Sequence, residues 1–160
     1  MQASRESGYV SAIYLAATPT ETPSARQRVE LEAGRGIVGD RYYNGIGTFS
    51  AKLANNPKRE LTLIEAEQVE LFQQEVGATL AEGELRRNVV TRGVQLNELA
   101  GKEFSLGGLR FRGVDLCEPC AYLARTVDSR VLPHLVGRCG LRAQILTSGT
   151  LEVGATFAVE

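Results

Sequence analysis

The segment Cys117-Glu118-Pro119-Cys120 brings two of the chain's three cysteines close together. It follows an alternating apolar stretch, which predicts that the pair lies where a strand ends and a helical turn begins. A thiol near a helix N-terminus feels the positive end of the backbone dipoles, which stabilise its thiolate. Because a thiolate is both a nucleophile and a soft metal ligand, the pair indicates sulfur or metal chemistry.

Three other interpretations of the cysteines stay open at this point. The pair can be two small buried apolar residues, since free cysteine is common in protein cores. A proline before the second cysteine is typical of thioredoxin-like redox pairs, although those follow an early β-α unit and this pair comes late in a strand-rich chain. Cys117, Cys120, His134 and Cys139 also have finger-like zinc spacing, but His134 lies in an apolar stretch.

Arginine recurs beside glycine or asparagine at three other places, in residues 34–41, 86–88 and 137–143. Glycine lets the backbone approach a ligand closely, and arginine binds phosphate or carboxylate through two parallel hydrogen bonds. Each segment taken alone is also typical of a solvated surface loop. Taken together with the thiols, they predict one anion-binding pocket with a sulfur ligand at its floor.

Composition restricts the kind of protein that carries this pocket. The chain has 160 residues, which predicts a single domain spanning 1–160. With 18 Lys and Arg against 19 Asp and Glu, the net charge is −1, which argues against nucleic acid as a partner. The polar N-terminus and the lack of a long apolar run predict neither a secretion signal nor a membrane span. We therefore expect a cytoplasmic protein in which an odd number of thiols stays reduced.

Periodicity predicts the elements that must position these residues. Alternating apolar residues indicate strands near residues 10–16, 28–32, 61–64 and 89–91, and a hairpin turning at Gly107-Gly108. A helix is expected to end at Gly77, and helical turns over 121–136 are expected to break at Pro133. A second hairpin is expected to turn near Ser148-Gly149. Without a β-α-β rhythm, the pattern favours a mainly-β or α+β fold, an antiparallel β-barrel with a few flanking helices.

The order of these segments resembles the small stand-alone bacterial proteins of the MOSC family, named after the C-terminal domain of molybdenum cofactor sulfurase. The resemblance runs from about Ile13 to the C-terminus and implies a β-barrel that binds the molybdenum cofactor (molybdopterin), an anionic pterin dithiolene with a terminal phosphate. The matching segments are Gly36-Ile37-Val38-Gly39-Asp40-Arg41, Leu61 to Glu67, Leu85-Arg86-Arg87-Asn88-Val89-Val90-Thr91, Leu116 to Cys120, Gly140 to Leu146 and Leu151 to Gly154.

The resemblance also implies roles for individual residues. Cys120 matches the cysteine that coordinates molybdenum or carries sulfur in the family. Arg41, with Gly39 and Asp40 of the same motif, and Arg86 with Asn88 match segments that line the cofactor site. The implied activity is reduction of N-hydroxylated compounds, with electrons from a separate donor protein. The alternatives are a sulfur carrier that receives a Cys120 persulfide from a sulfur donor, and a module that only binds cofactor or zinc.

This chain departs from the family pattern at three positions. Tyr42 stands where many relatives have histidine, which removes an expected proton-transfer group. Arg87 stands where relatives often have glutamate, and Cys139 where they often have glycine. We therefore expect a pocket that is more positive than is usual in the family.

Overall fold

Short strands make up most of the structure, a computed structural model that describes residues 8–158. The strands in this range are β1 (Tyr9–Leu15), β2 (Ser24–Ala25), β3 (Arg28–Glu32), β4 (Gly36–Ile37), β5 (Leu61–Glu65), β6 (Val89–Arg92), β7 (Glu103–Leu106), β8 (Leu109–Leu116), β9 (Leu141–Ile145), β10 (Gly149–Glu152) and β11 (Phe157–Ala158). The helices are α1 (Ala66–Val76), α2 (Ala121–Thr126) and α3 (Val131–His134), with single 3-10 turns at Pro57–Arg59, Glu82–Leu85 and Leu96–Leu99.

One large sheet curls on itself to form the barrel. Its eight strands have the order β11-β7-β8-β9-β5-β6-β1-β2, and β10-β3-β4 form a smaller sheet. The β11 edge returns to β1, where the Phe157 amide donates to the Gly8 carbonyl (2.9 Å) and the Val10 amide to the Ala155 carbonyl (2.9 Å). These bonds satisfy backbone groups that an open edge would leave unpaired. The predicted mainly-β barrel with a few flanking helices is confirmed.

Two predictions made from glycine residues, the end of a helix and the turn of a hairpin, are confirmed. Gly77 follows α1 with a φ of 69°, the left-handed conformation that ends helices readily only at glycine. Gly107 and Gly108 have φ values of 59° and 79° and form the two-residue turn that joins β7 to β8. Such turns need positive φ at both central residues, so the predicted hairpin is confirmed.

Two predictions about strand pairing were wrong. β5 and β6 are parallel, with Leu63 opposite Val89, so the chain does contain one β-α-β crossover, through α1. A single crossover produces no rhythm in the sequence, which is why it was missed. The expected hairpin at Ser148-Gly149 is also absent from the described residues: β9 pairs with β8 and β5, whereas β10 pairs with β3. Alternation identifies strands but does not identify their partners.

The predicted break at Pro133 lies elsewhere. α2 ends at Thr126, and Pro133 is the third residue of α3, where helix geometry does not require its missing N–H. None of the helices within residues 8–158 is long and apolar enough to cross a membrane.

The two faces of the large sheet pack differently. Side chains that point into the barrel, such as Leu63, Phe111 and Leu141, are fully buried in one apolar cluster. On the outer face, Ile64 and Val90 pack under the three helices in a second cluster.

Beside that second cluster, the outer face carries a polar row of side chains on neighbouring strands: Asp115, Arg142, Thr62 and Asn88. Arg142 on β9 is in register with Asp115 on β8 and with Thr62 on β5. Thr62 in turn hydrogen-bonds Asn88, the residue before β6. Since every second residue of a strand faces the same way, the row is set by the same alternation that buries Leu141 and Ala143.

Arg87 fastens three loops beside this row. Its Nε donates to the Cys139 carbonyl (2.9 Å), and its Nη1 to the Leu85 carbonyl (3.3 Å). Its Nη2 lies 3.0 Å from the Cys117 carbonyl and 3.2 Å from that of Glu118. The planar guanidinium therefore satisfies loop carbonyls that strand pairing does not reach.

We predict that Arg87→Lys destabilises the protein even though it keeps the positive charge. One ammonium nitrogen cannot reach carbonyls spread around a guanidinium, and each lost charged hydrogen bond costs about 1.5–3 kcal/mol. For a chain of this size, one such loss lowers Tm by about 3–12 °C. Thermal unfolding followed by circular dichroism measures the shift. Arg112→Lys is the matched control, because Arg112 pairs with Glu103 on the exposed surface. Equal Tm values for the two variants would contradict the role given to Arg87.

Candidate functional site

A cavity of about 360 Å³ opens over the polar row, between the loop of residues 41–59 and the segment of residues 117–123. Its volume lies within the range of small-molecule and cofactor sites, about 300–1,000 Å³. The lining residues are Arg41, Tyr42, Thr48, Phe49, Lys52, Leu53, Lys58, Arg59, Thr62, Arg86, Arg87, Asn88, Cys117, Glu118, Cys120, Tyr122, Leu123 and Arg142.

The charge of the lining is strongly one-sided. Seven of these side chains are cationic and one, Glu118, is a carboxylate. The chain as a whole has a net charge of −1, so positive charge is concentrated at this one concavity. Low-dielectric walls strengthen such a field and attract anions. Each of the three arginine-containing segments contributes at least one side chain to this lining.

Asp40 positions Arg41 at the cavity wall. Asp40 Oδ1 accepts a hydrogen bond from Arg41 Nη1 (3.1 Å), and Oδ2 accepts one from the Tyr42 amide (3.2 Å). Both Asp40 and Arg41 are buried. Gly39 makes the turn before them with a φ of 92°. Of this motif only Arg41 lines the cavity, so Gly39 and Asp40 act by placing its guanidinium.

Arg86 lies near Arg41 and is held from the other side. Its Nη1 donates to the Glu21 carbonyl (2.8 Å) and its Nη2 to the Thr18 carbonyl (3.4 Å). Burial lowers the pKa of Arg86, and the positive charge of Arg41 lowers it further. An anion between the two guanidinium groups would offset that repulsion.

Asn88 is in the wall, but most of its amide already has protein partners. Its Oδ1 accepts from the Thr62 amide (3.2 Å) and hydroxyl (3.1 Å), and its Nδ2 donates to the Tyr14 carbonyl (3.2 Å). The side chain thus ties β5 and β1 to the start of β6. One of its N–H donors is left to contact a ligand.

The three cysteines differ in access to the cavity. Cys120 is partly exposed at the residue that caps α2, whereas Cys117 and Cys139 are buried. Cys117 and Cys120 line the cavity. The Cys139 sulfur instead accepts a hydrogen bond from Arg87 Nη2 (3.2 Å), and burial raises the pKa of its thiol.

The four residues with zinc-like spacing do not form a site. His134 is exposed and lies edge-on to the Phe72 ring, with centroids 6.3 Å apart. Among residues 8–158, no group of three or more His, Cys, Asp or Glu side chains is arranged to hold a metal ion.

Tyr42, which stands where the family resemblance implied a histidine, lines the cavity. The hydroxyl accepts a hydrogen bond from the Phe49 amide (3.3 Å), which leaves its own proton free for a ligand. Burial raises the pKa of Tyr42, so the phenol stays protonated at neutral pH.

The sequence did not single out three of the cavity's cations, Lys52, Lys58 and Arg59, because their positions depend on how residues 41–59 fold over the sheet. Arg142 belongs to the arginine-containing segment 137–143, and its alternation with Leu141 and Ala143 makes it face away from them. Conversely, Arg35 and Arg138 belong to the arginine-containing segments but do not line the cavity. Arg35 lies over the Tyr43 ring (3.8 Å), and Arg138 pairs with Glu75 (2.9 Å).

Several solved structures share this fold at low sequence identity. The YuaD protein from Bacillus subtilis superposes with a TM-score of 0.77 and 18% identity, covering 96% of each chain. YiiM from Geobacillus stearothermophilus gives a TM-score of 0.69 at 14% identity, covering 96% of this chain and 75% of that one. YiiM from Escherichia coli gives 0.61 at 13%, covering 95% and 70%. No curated protein sequence matches the chain.

A family model identifies the sequence more directly. The MOSC domain model matches residues 50–158, about two thirds of the chain. This range includes Cys120, Arg86 and the whole polar row, and the barrel agrees with the fold that the resemblance implied. The chain therefore belongs to the MOSC domain family.

Proposed function

We propose that this chain binds the molybdenum cofactor in the cationic cavity, with Cys120 as the thiolate ligand of the metal. The observation that carries the proposal is a partly exposed thiol in a cavity lined by seven cations and one carboxylate. A soft thiolate suits molybdenum, and cations suit a phosphate. MOSC domains are associated with this cofactor in general, which supports the proposal.

Arg41 and Arg86 are the residues we assign to the cofactor's phosphate. One N–H of the Arg41 guanidinium donates to Asp40, and its other N–H groups remain available to a ligand. Arg86 bonds two carbonyls at the cavity edge and keeps further N–H groups on both Nη atoms. A phosphate between them would neutralise two neighbouring like charges, and Asn88 can add one neutral donor.

When bound, the cofactor supplies two-electron redox chemistry, and we propose that the reaction is the reduction of N-hydroxylated compounds in the cytoplasm. A separate protein delivers the electrons. The chain's own residues hold the cofactor and orient the substrate. We assign the Tyr42 hydroxyl as a hydrogen-bond donor to the substrate, because it accepts from the Phe49 amide and its proton has no partner within residues 8–158.

A second candidate function is sulfur transfer. Cys120 is the accessible thiol, and Cys117 lines the same cavity. Cys120 would then take the outer sulfur of a donor persulfide, with release of the donor's thiol. It would pass that sulfur to a metal–sulfur centre elsewhere, where two electrons from a separate reductant convert it to sulfide. The two candidates differ in whether the cavity holds a metal.

We predict that protein purified from a molybdate-supplied host contains molybdenum and pterin in near-stoichiometric amounts. Cys120→Ser should lose the molybdenum, because a hydroxyl is a poor substitute for a soft thiolate ligand. Mass spectrometry of metals and fluorescence of the oxidised pterin measure both contents. Cys139→Ser is the control, since Cys139 does not line the cavity. Cyanide-labile sulfur on Cys120 without molybdenum would contradict the reductase and support the sulfur carrier.

Arg41→Ala and Arg86→Ala should each weaken pterin retention by about 10–100-fold, because a charged hydrogen bond contributes about 1.5–3 kcal/mol. The measurement is pterin content after stepwise dilution, with Tm recorded in parallel. Arg28→Ala is the control, since Arg28 is an exposed residue of β3 outside the cavity. Retention equal to that of the control would contradict the phosphate assignment. A collapse of Tm would show that the arginine is structural.

Brief, limiting alkylation should label Cys120 before the other two cysteines. Cys117 and Cys139 are buried, and the raised pKa of Cys139 also reduces its thiolate fraction at neutral pH. Peptide mass spectrometry identifies the labelled residue. Labelling of Cys139 should rise at alkaline pH, where its thiol ionises. Preferential labelling of Cys139 at neutral pH would contradict the assignment of Cys120.

A further inference from the structure

The cations that line the cavity differ in the ion-pair and hydrogen-bond partners that they already have within the protein. Arg41 pairs with Asp40, and Lys58 pairs with Asp115 (2.7 Å). Arg86 and Arg87 donate to backbone carbonyls. The side chain of Arg142 makes no hydrogen bond or ion pair with any residue in the described range 8–158.

The strand partners of Arg142 explain why it is left unneutralised. Asp115, in register across β8, gives one carboxylate oxygen to Lys58, and its buried Oδ1 has no hydrogen-bond partner. Thr62 is in register with Arg142 across β5. Its hydroxyl donates to Asn88 Oδ1 (3.1 Å) and accepts from the backbone N–H of Asn88 (3.0 Å). A partly buried guanidinium with unused donors favours a bound oxyanion.

Arg142 lies on the opposite side of the cavity from Arg41 and Arg86. The Arg41 amide bonds the Ala16 carbonyl, just beyond β1, whereas Arg142 is on β9. The order β9-β5-β6-β1 separates these strands by three spacings, about 14 Å at 4.8 Å each.

Cys120 lies between the two sides. The segment that carries it starts beside β9, where the Cys117 amide donates to the Gly140 carbonyl (2.8 Å). It ends at the loop that also holds Arg86, where the Tyr122 hydroxyl donates to the Pro19 carbonyl (3.3 Å). A group bound through Cys120 and through Arg41 and Arg86 therefore leaves the Arg142 side of the cavity for a second molecule.

We propose that Arg142 forms a second oxyanion subsite on the far side of Cys120 from Arg41 and Arg86, and that the substrate carries a carboxylate or phosphate group that binds there. This inference rests on the proposed function only for the N-hydroxyl group of the substrate. The anion site itself follows from the contacts of this chain alone.

The test measures binding, by isothermal calorimetry, of three probes: N-hydroxybenzamidine, its 4-carboxylate and its 4-phosphonate. The purified protein is compared with Arg142→Gln and with the surface control Arg112→Gln. We expect the wild type to bind an anionic probe more tightly than the neutral one, and Arg142→Gln to lose about 10–100-fold of that affinity. The neutral probe should bind both proteins alike. Whichever of the two anionic probes binds more tightly identifies the substrate's anionic group as a carboxylate or a phosphate.

Molybdenum and pterin contents of the same samples separate this inference from the proposed function. Arg142→Gln should retain both at the wild-type level. Loss of pterin in Arg142→Gln would assign this residue to the cofactor and overturn the second subsite, while leaving the proposed function intact. A lower Tm with unchanged probe affinity would show that Arg142 pairs with Asp115, which also overturns it. If the wild type holds no cofactor, preferential binding of an anionic probe through Arg142 still supports the subsite.

Discussion

The cavity depends on one guanidinium that holds three loops together. Arg87 donates to carbonyls before β6, after β8 and before β9, none of which has a strand partner. Loop carbonyls away from water need donors, and the flat fork of arginine supplies several in different directions. The start of the segment of residues 117–120 is therefore held both by the Arg87 side chain, through the Cys117 and Glu118 carbonyls, and by the backbone bond from the Cys117 amide to the Gly140 carbonyl.

The cations that line the cavity repel one another, and nearby carboxylates offset part of this repulsion. Cations placed close together repel, and the lowered pKa of Arg86 beside Arg41 is a sign of it. Asp40 offsets the repulsion at Arg41 and Asp115 at Lys58, each by a direct ion pair. Both carboxylates stay out of the lining, so the surface presented to a ligand remains cationic. Net charge alone gave no hint of this, because the acidic residues balance the total elsewhere.

Sequence patterns predicted the features that depend on the backbone conformation of a few neighbouring residues. Gly77 and Gly107-Gly108 were identified correctly because their positive φ angles are local requirements. The partner of β10 could not be identified, since pairing depends on the closing of the whole barrel. The same limit applies to the site. Cys120, Arg41 and Arg86 could be named from their motifs, and all three line the candidate cavity. That Arg142 has no partner within residues 8–158 becomes visible only once its neighbours on β8 and β5 are known.

Two departures from the family pattern meet in space, which gives them a common physical explanation. Arg87, where the family resemblance implied glutamate, donates to both the carbonyl and the sulfur of Cys139, where it implied glycine. A carboxylate at the first position could not donate to these acceptors, and a glycine at the second would remove the sulfur that one Nη2 hydrogen bond reaches. Each substitution therefore suits the other. Arg87 thus adds a positive charge to the cavity wall, and that charge is held by the backbone carbonyls of the loops around Cys120.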